Sequence, residues 1–416
     1  MSPQEYEATS NPPRNWRTQD VWSISLSAFF ADLGYQSVLA AFPLFLVIEL
    51  HRPAWEYGLA MALSYGGGAI FSMIGARIGD RIGHRKMAIF GNCLIPLLSL
   101  SALMSNPAWT IGLLCGGWWA RNLRSPSRRV MLNEAVPADE FRVRIFGFLH
   151  ALDVGGAAAA ALLVLIALNQ GVPFKLLFLF TAIPLGVSTL MLSRASTGRV
   201  PLASSAKSGS DYEKPTQRHL SSAKAIFLST ALFGFTFYSI GFPVLTVAQK
   251  TGSDTFGVLG FLVFQGFSAA TGYLLAQKLG ATMLRRFVNL GMFGYFGSAL
   301  GAIVMIADVH YQLGTSEFLL GLAILGFALG VVETLEPSLV AVLSKGIGSG
   351  RGFGALASSR SVGLFAGNII MGLLYQIGPS WSYGYAAAMA IAAAAIMLFT
   401  AKRANAELTD LRGQPL

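Results

Sequence analysis

Charge is scarce in this sequence. Asp, Glu, Lys and Arg supply 12% of its 416 residues, about half the share carried by soluble domains. Cysteine is scarcer still. Cys93 and Cys115 both fall inside apolar stretches, form no metal-ligand spacing and read as small core residues. Also missing are a His/Asp/Glu metal spacing and a Ser-His-Asp set. GIGSGRGFG (346–354) lacks the Lys-Ser/Thr ending that a phosphate-cradling loop needs. These gaps argue against a membrane enzyme and against ATP-driven pumping, and no cofactor or metal is expected.

What the chain has instead is apolar length: 54% of its residues are hydrophobic. A membrane span takes about 20 mostly apolar residues, and twelve such stretches are readable. They cover 21–48, 56–76, 87–106, 109–133, 144–168, 173–193, 224–248, 254–277, 287–308, 317–343, 353–376 and 381–401. The expected fold class is an all-α polytopic membrane protein with the lipid bilayer as its solvent. The polar N-terminal tail is no basic segment with a cleavage site, so no removable signal peptide is expected.

The net charge of +10 raises the question of nucleic acid. With both termini in the cytoplasm, however, 24 of the 30 Lys and Arg fall on the cytoplasmic side. Arg52, Lys175 and Lys250 alone face outward, while Arg121, Arg124 and Arg360 lie within spans. The basicity follows the positive-inside rule and sets orientation; nucleic-acid binding is not expected.

The longest polar interruption, residues 194–224, is rich in Ser, Lys and Arg without a hydrophobic period and reads as a flexible linker. The expected units are a tail (1–20), a six-helix bundle (21–193), a cytoplasmic linker (194–223), a second six-helix bundle (224–402) and a tail (403–416). Equal halves suggest an internal duplication, a common plan of secondary transporters. Echoes support it. AAFPLFLVIEL ends span 1 and IGFPVLTVAQK ends span 7; GARIGDRIGHRK follows span 2 and the weaker AQKLGATMLRR follows span 8; RNLRSPSRR in span 4 and VVETLEPSL in span 10 both place charges three apart before a proline.

The stretch at 75–86 sets Gly75, Gly79, Asp80, Arg81, Gly83, Arg85 and Lys86 between two apolar runs. Small residues allow close helix approach, and Asp80 is an acceptor among bases. This loop resembles the signature between spans 2 and 3 of the major facilitator superfamily, approximately Gly-x-x-x-Asp-Arg-x-Gly-Arg-Arg/Lys. The resemblance extends over the twelve spans and their six-plus-six division. It implies two pseudo-symmetric six-helix bundles, and a gating latch between halves for the 75–86 loop. A bacterial branch of that family is similar around span 4 through Arg121, Arg124, Pro126, Arg128, Glu134, Phe146, Gly147 and Asp153, with Asn122 and Arg129 departing from its pattern. Span 10 resembles the same branch through Glu333 and Glu336. The Gly-Pro exporter signature of span 5 is absent from DVGGAAAAALLVL, so drug-type antiport loses support.

Ionisable groups inside a span cost several kcal/mol unless paired or hydrated, which makes each a functional candidate. Arg121 and Arg124 are expected to line a central cavity, while Arg128 divides between interface anchor and site. Glu333 and Glu336 sit at comparable depth in span 10. They are open to three roles: an ion pair across the cleft to Arg121 or Arg124, a proton carrier, or a substrate contact. Asp32, with Tyr35 and Gln36 on one face, is a proton or substrate site; His150 and Asp153 are open to two roles, a mutual hydrogen bond suited to proton relay or a structural lock to span 4; Arg360 snorkels or pairs with an acid. Gln265 and Asn368 are candidate amide donors, and Phe30, Phe235, Phe237 and Tyr238 candidate aromatic walls. Together these features point to a secondary transporter of a small polar or amphiphilic solute, working by alternating access with H+ as coupling ion. A uniporter and a transport-inactive sensor or scaffold are the alternatives. A functional monomer in the bacterial inner membrane is expected.

Overall fold

The computed structural model describes residues 16–135, 142–197, 217–237, 240–277, 283–343 and 349–412. Among them every regular element is helical: α1 (Gln19–Glu49), α2 (Ala54–Ile82), α3 (His84–Leu103), α4 (Pro107–Glu134), α5 (Arg142–Asn169), α6 (Phe174–Arg194), α7 (Gln217–Phe237), α8 (Gly241–Thr251), α9 (Asp254–Gln277), α10 (283–311), α11 (Thr315–Leu343), α12 (Ser349–Ile377) and α13 (Pro379–Arg412).

Local chemistry sets several of these boundaries. Thr18 caps α1 by accepting the Val21 N–H at 3.3 Å. Pro43, buried inside α1, donates no hydrogen bond, and the last turns Leu44–Glu49 widen into a π-helix directly after it. Asn106 caps α4 ahead of Pro107 at its first position. The chain turns from α2 to α3 at Gly83, whose φ of 96° suits a residue without Cβ.

Nine helices among the described residues are long and apolar enough to cross a membrane. Their exposed side chains, Phe90, Ile183, Leu190 and Phe399 among them, suit a hydrocarbon surround. The other three expected spans coincide with α4, with α7 and α8 together, and with α12. They fall short of the apolar measure for visible reasons. α4 carries Arg121, Arg124, Arg128 and Arg129, the 224–248 stretch is divided between two helices, and α12 carries Ser358, Ser359, Arg360 and Asn368 along its length. Two expected boundaries are corrected. α7 starts at Gln217, inside the expected linker, and α13 continues to Arg412, deep into the expected tail. Both extensions hold good helix formers, Gln, Arg, Leu and Ala in 217–223 and Arg, Ala, Glu and Leu in 403–412, so leaving the apolar region does not end the helix. Residues 1–15, 136–141, 198–216, 238–239, 278–282, 344–348 and 413–416 lie outside the described residues.

In the first half α1 packs on α5 and α6, and α2 on α4; in the second, α11 packs on α9 and α10, and α7 on α12 and α13. Between the halves the main contacts are α2 with α12 and α5 with α9. In span numbering these are 2 with 11 and 5 with 8. Exchanging the halves turns one contact into the other, as a duplicated fold about a two-fold axis requires.

The two ends of this bundle differ. At the linker end, Arg85 donates to the carbonyls of Ala195 (2.7 Å) and Ser193 (2.5 Å), and Asp20 accepts from Ser196. At the far end the halves are shut against each other. A Cβ at Gly58 of α2 would fall on the Asn368 carbonyl oxygen and 3.0 Å from the Gly372 Cα of α12. Beside it, Tyr57 reaches the backbone of Gly241 and meets the Phe242 ring edge-on at 5.1 Å. The proline echo of the two halves therefore lands where they close: Phe42, Pro43, Phe242 and Pro243 are all buried.

The second half is clamped at this end by Lys250, whose Nζ donates to both oxygens of fully buried Asp308 at 2.7 and 2.6 Å. Asp308 also accepts the Gly314 N–H at 2.9 Å. Removing one partner of a buried pair strands the other. Lys250→Met is expected to lower stability by about 3–5 kcal/mol, and Lys250→Met with Asp308→Leu to recover most of it, read as apparent Tm in detergent.

Candidate functional site

Between the halves lies a cavity of about 780 Å³, closed at the far end and walled towards the linker end by Ser72, Met73, Arg129, Ala357 and Ser358. Its first-half wall carries Gln36, Tyr57, Tyr65, Trp118, Arg121 and Asn122; its second-half wall carries Phe261, Phe264, Gln265, Glu333 and Arg360.

Arg121 is the central cation of the first wall. Its guanidinium stands over the Trp118 ring (4.8 Å to the centroid) and the Tyr35 ring (5.1 Å), the geometry of a cation–π contact on two sides. Its Nη2 donates to the Tyr35 hydroxyl at 3.3 Å, and that hydroxyl donates to Asp32 Oδ1. Asp32 is buried behind this pair and does not line the cavity. Trp118, one helical turn before Arg121, and Tyr57 and Tyr65 of α2 complete this wall; they carry no charge in the sequence, and the spacing of Trp118 from Arg121 is the one signal that points to any of them.

Arg124, expected beside Arg121, lies elsewhere. Its side chain is buried and its Nη1 donates to Asn92 Oδ1 of α3 at 2.5 Å. Asn92 Nδ2 in turn donates to Ser188 and Thr189 of α6. Three residues along a helix turn about 60° away from the starting face. Arg124 therefore points into its own half, while Arg128, seven residues on from Arg121, returns to nearly the same face. Arg128 is buried, against its reading as an interface anchor, and its Nη2 lies 3.4 Å from both Asp153 oxygens. Asp153 is thus tied to Arg128 of α4, the lock between spans 5 and 4, while the His150 side chain is exposed.

The second wall repeats the pattern. Glu333 faces the cavity with 39% of its side chain exposed, whereas Glu336, three residues on, is wholly buried. Arg360 of α12 joins them, donating to Glu333 Oε1 at 2.9 Å and to Glu336 Oε2 at 2.5 Å. Tyr295 of α10 completes the cluster by donating to Glu336 Oε1 at 2.6 Å. Of the roles open to them, Glu333 and Glu336 share an ion pair inside the second half, on Arg360. α12 packs beside α11, while the cavity separates the glutamates from Arg121.

The family model described as Major Facilitator Superfamily matches residues 24–350. The chain belongs to the major facilitator superfamily. It is a membrane-transport protein, not an enzyme, as that membership implies. Solved structures of similar fold include a POT family transporter in complex with a thioalcohol-conjugated peptide, 14% identical, TM-score 0.73, covering 92% of this chain and 96% of that one. Another is a POT family transporter in complex with 5-aminolevulinic acid, 14% identical, TM-score 0.72, covering 92% and 96%. A variant of the nucleoside transporter NupG is 12% identical, TM-score 0.68, covering 91% and 99%. At these identities the likeness is one of fold. No curated protein matches the sequence.

In this superfamily member residues 75–86 are not a loop but the end of α2, the turn at Gly83 and the start of α3, and they pack on α4 and α6 of the first half. A Cβ at Gly75 would fall on the Leu123 carbonyl oxygen, so α2 and α4 touch backbone to backbone there. Gly79 faces the His84 ring and Ser127. Asp80 is exposed, with Oδ1 3.2 Å from His84 Nε2; Arg85 holds the end of α6; Arg81 and Lys86 are exposed.

The remaining expectations divide. Gln265 and Gln36 line the cavity. Asn368 is buried in α12, donating to the Leu364 carbonyl, and Phe30 rests edge-on against Phe29. Cys115 is buried as read, but Cys93 is exposed on the outer face of α3, where an apolar run also supplies lipid-facing positions. The side chains of Phe146, Phe235, Phe237 and Tyr238 lie outside the described residues.

Proposed function

We propose that the protein is an alternating-access carrier of a small amphoteric solute, one bearing both a carboxylate and an amine, coupled to H+. The observation that carries this reading is the separation of charge across one cavity. Arg121 and Arg129 lie on the first wall; on the second, one arginine is shared by two glutamates, of which Glu333 reaches the cavity. A carboxylate on the arginine side and an ammonium near Glu333 would each meet a charge-assisted partner. Lone anions and lone cations would each meet only half of the site. The fold neighbours solved with a peptide and with 5-aminolevulinic acid, both amphoteric, support this solute class. With the linker end placed in the cytoplasm by its basic loops, the arrangement is the inward-open one and both termini are cytoplasmic. The carrier works as a monomer in the bacterial inner membrane, with the three less apolar helical stretches crossing alongside the other nine.

A panel of amino acids and dipeptides, monocarboxylates and monoamines, read by thermal stability, tests the solute class, because ligands that bind the native state raise apparent Tm. Amphoteric compounds are expected to score. Arg121→Gln and Glu333→Gln are each expected to weaken the best of them at least about tenfold, the loss of one charge-assisted bond. Hits confined to monocarboxylates or monoamines, or indifferent to both substitutions, would overturn it. The uniporter alternative is separated by flux: coupling requires that a pH gradient alone drive uphill movement of the hit.

A further inference from the structure

A proton-coupled carrier must seat its proton, and on that reading we propose that Asp32 and Asp153 hold it between them and that Arg121 relays its presence to the cavity. α1 and α5 touch closely at this level: a Cβ at Gly156 would fall on the Phe29 carbonyl oxygen and 2.9 Å from the Asp32 Cβ. Asp153, one turn before Gly156 on α5, therefore stands on the side of α5 that meets Asp32. Ionised carboxylates are acceptors only, so a bond between them requires one proton, shared by the pair as in other carboxyl dyads.

The groups around the dyad are placed to register that proton. Tyr35 on α1 donates to Asp32 and accepts from Arg121. On α4, Arg121 reaches Asp32 through Tyr35 and Arg128 reaches Asp153, while Arg124 on Asn92 and Arg129 on the cavity wall are the further cations of that helix. α6, packed on α1, meets it with neutral residues, Leu185 against Gly34 and Ser188 donating to the Ser27 carbonyl. On α9, packed against α5, Asp254 is the first residue and Tyr273 is exposed. Arg128 holds Asp153 by two long contacts of 3.4 Å, and its Nε and Nη1 are buried without a partner among the described residues, as is Arg121 Nε.

These spare donors give the dyad two settings. With the proton in place, one carboxyl is neutral and Arg121 is free to take a solute carboxylate from the cavity. When the proton leaves, two carboxylates demand cations. Arg128 closes on Asp153 with its spare donors, and Arg121 is drawn through Tyr35 towards Asp32 and away from the cavity. Proton and solute carboxylate are then bound together and released together, which is symport. No bond is made or broken except the O–H of the carried proton.

The test uses the proton as its own probe, with no solute, so it is independent of the solute class proposed above. The protein is reconstituted in liposomes and titrated by infrared difference spectroscopy, with Trp118 emission followed in parallel. One protonated-carboxyl band is expected, absent from both Asp32→Asn and Asp153→Asn. Trp118 emission should change at the same midpoint, because the Arg121 guanidinium lies over its ring; Trp118→Phe identifies that signal. Tyr35→Phe, which removes one hydroxyl and keeps the ring, is expected to shift the midpoint by about tenfold in proton concentration, and serves if an Asn variant fails to fold. A band that survives either Asn variant overturns the dyad, as does one lost only in Glu333→Gln or Glu336→Gln, or no band at all. A band that titrates while Trp118 stays silent overturns the relay through Arg121.

Discussion

Gly58→Val is expected to hold the carrier open at its far end. A Cβ at this position meets the Asn368 carbonyl and the Gly372 Cα, both main chain of α12, so no side-chain rotation relieves the clash. Overpacking of a close contact costs about 1–3 kcal/mol and more where backbone must move. At 3 kcal/mol the closed arrangement loses more than about 100-fold in population. Solute flux should fall by a similar factor while the protein stays folded, because each half keeps its own packing. The check is a cysteine at the cavity residue Gln36, with Cys93 and Cys115 replaced by alanine. An impermeant thiol reagent applied at the far end should label it in the Gly58→Val background. Gly112→Val, a glycine with open space around its absent Cβ, is the control. Equal labelling and flux in the two variants would show that the α2–α12 contact does not close the cavity.

The second large effect concerns stability. Glu336 is wholly buried and is held by Arg360 and Tyr295. Arg360→Met leaves that carboxylate with a single neutral donor, and truncating one side of such a pair costs about 3–5 kcal/mol. Apparent Tm in detergent is expected to drop accordingly. Adding Glu336→Gln, which removes the stranded charge and can still accept from Tyr295, should restore most of the loss; a double variant no better than the single one would contradict this account. Glu333→Gln alone should change stability little, since its side chain is partly exposed to the cavity.

The contrast between Glu333 and Glu336 has its twin in Arg121 and Arg124, and it marks how far the sequence could be read. Apolar length and loop charge made the spans legible, and the 75–86 stretch led to the superfamily. Charge inside spans pointed to α4 and α11. The choice between neighbours three residues apart was not legible, because a 60° turn decides whether a side chain meets the cavity or its own bundle. In both helices the first residue of the pair faces the cavity and the second is buried. The partners that hold the buried members, Asn92 and Tyr295, are ordinary polar residues in apolar stretches, 32 and 41 positions away. Asp32, Asp153, Glu333 and Glu336 stand against Arg121, Arg124 and Arg360, a near-balance of charges that names no sign for the solute. Their placement on opposite walls, which a count cannot carry, suggests the solute.

The ion pairs that matter here stay at home. Arg360 with its two glutamates, Lys250 with Asp308 and Arg128 with Asp153 each join helices of one half. What the halves press together at the far end is instead glycine, carbonyl and aromatic ring. When one half rocks against the other, these charges travel with their partners and none has to be stripped bare on the way. The barrier to turnover is then one of sliding packed surfaces, and its height should respond to bilayer thickness and temperature far more than to ionic strength.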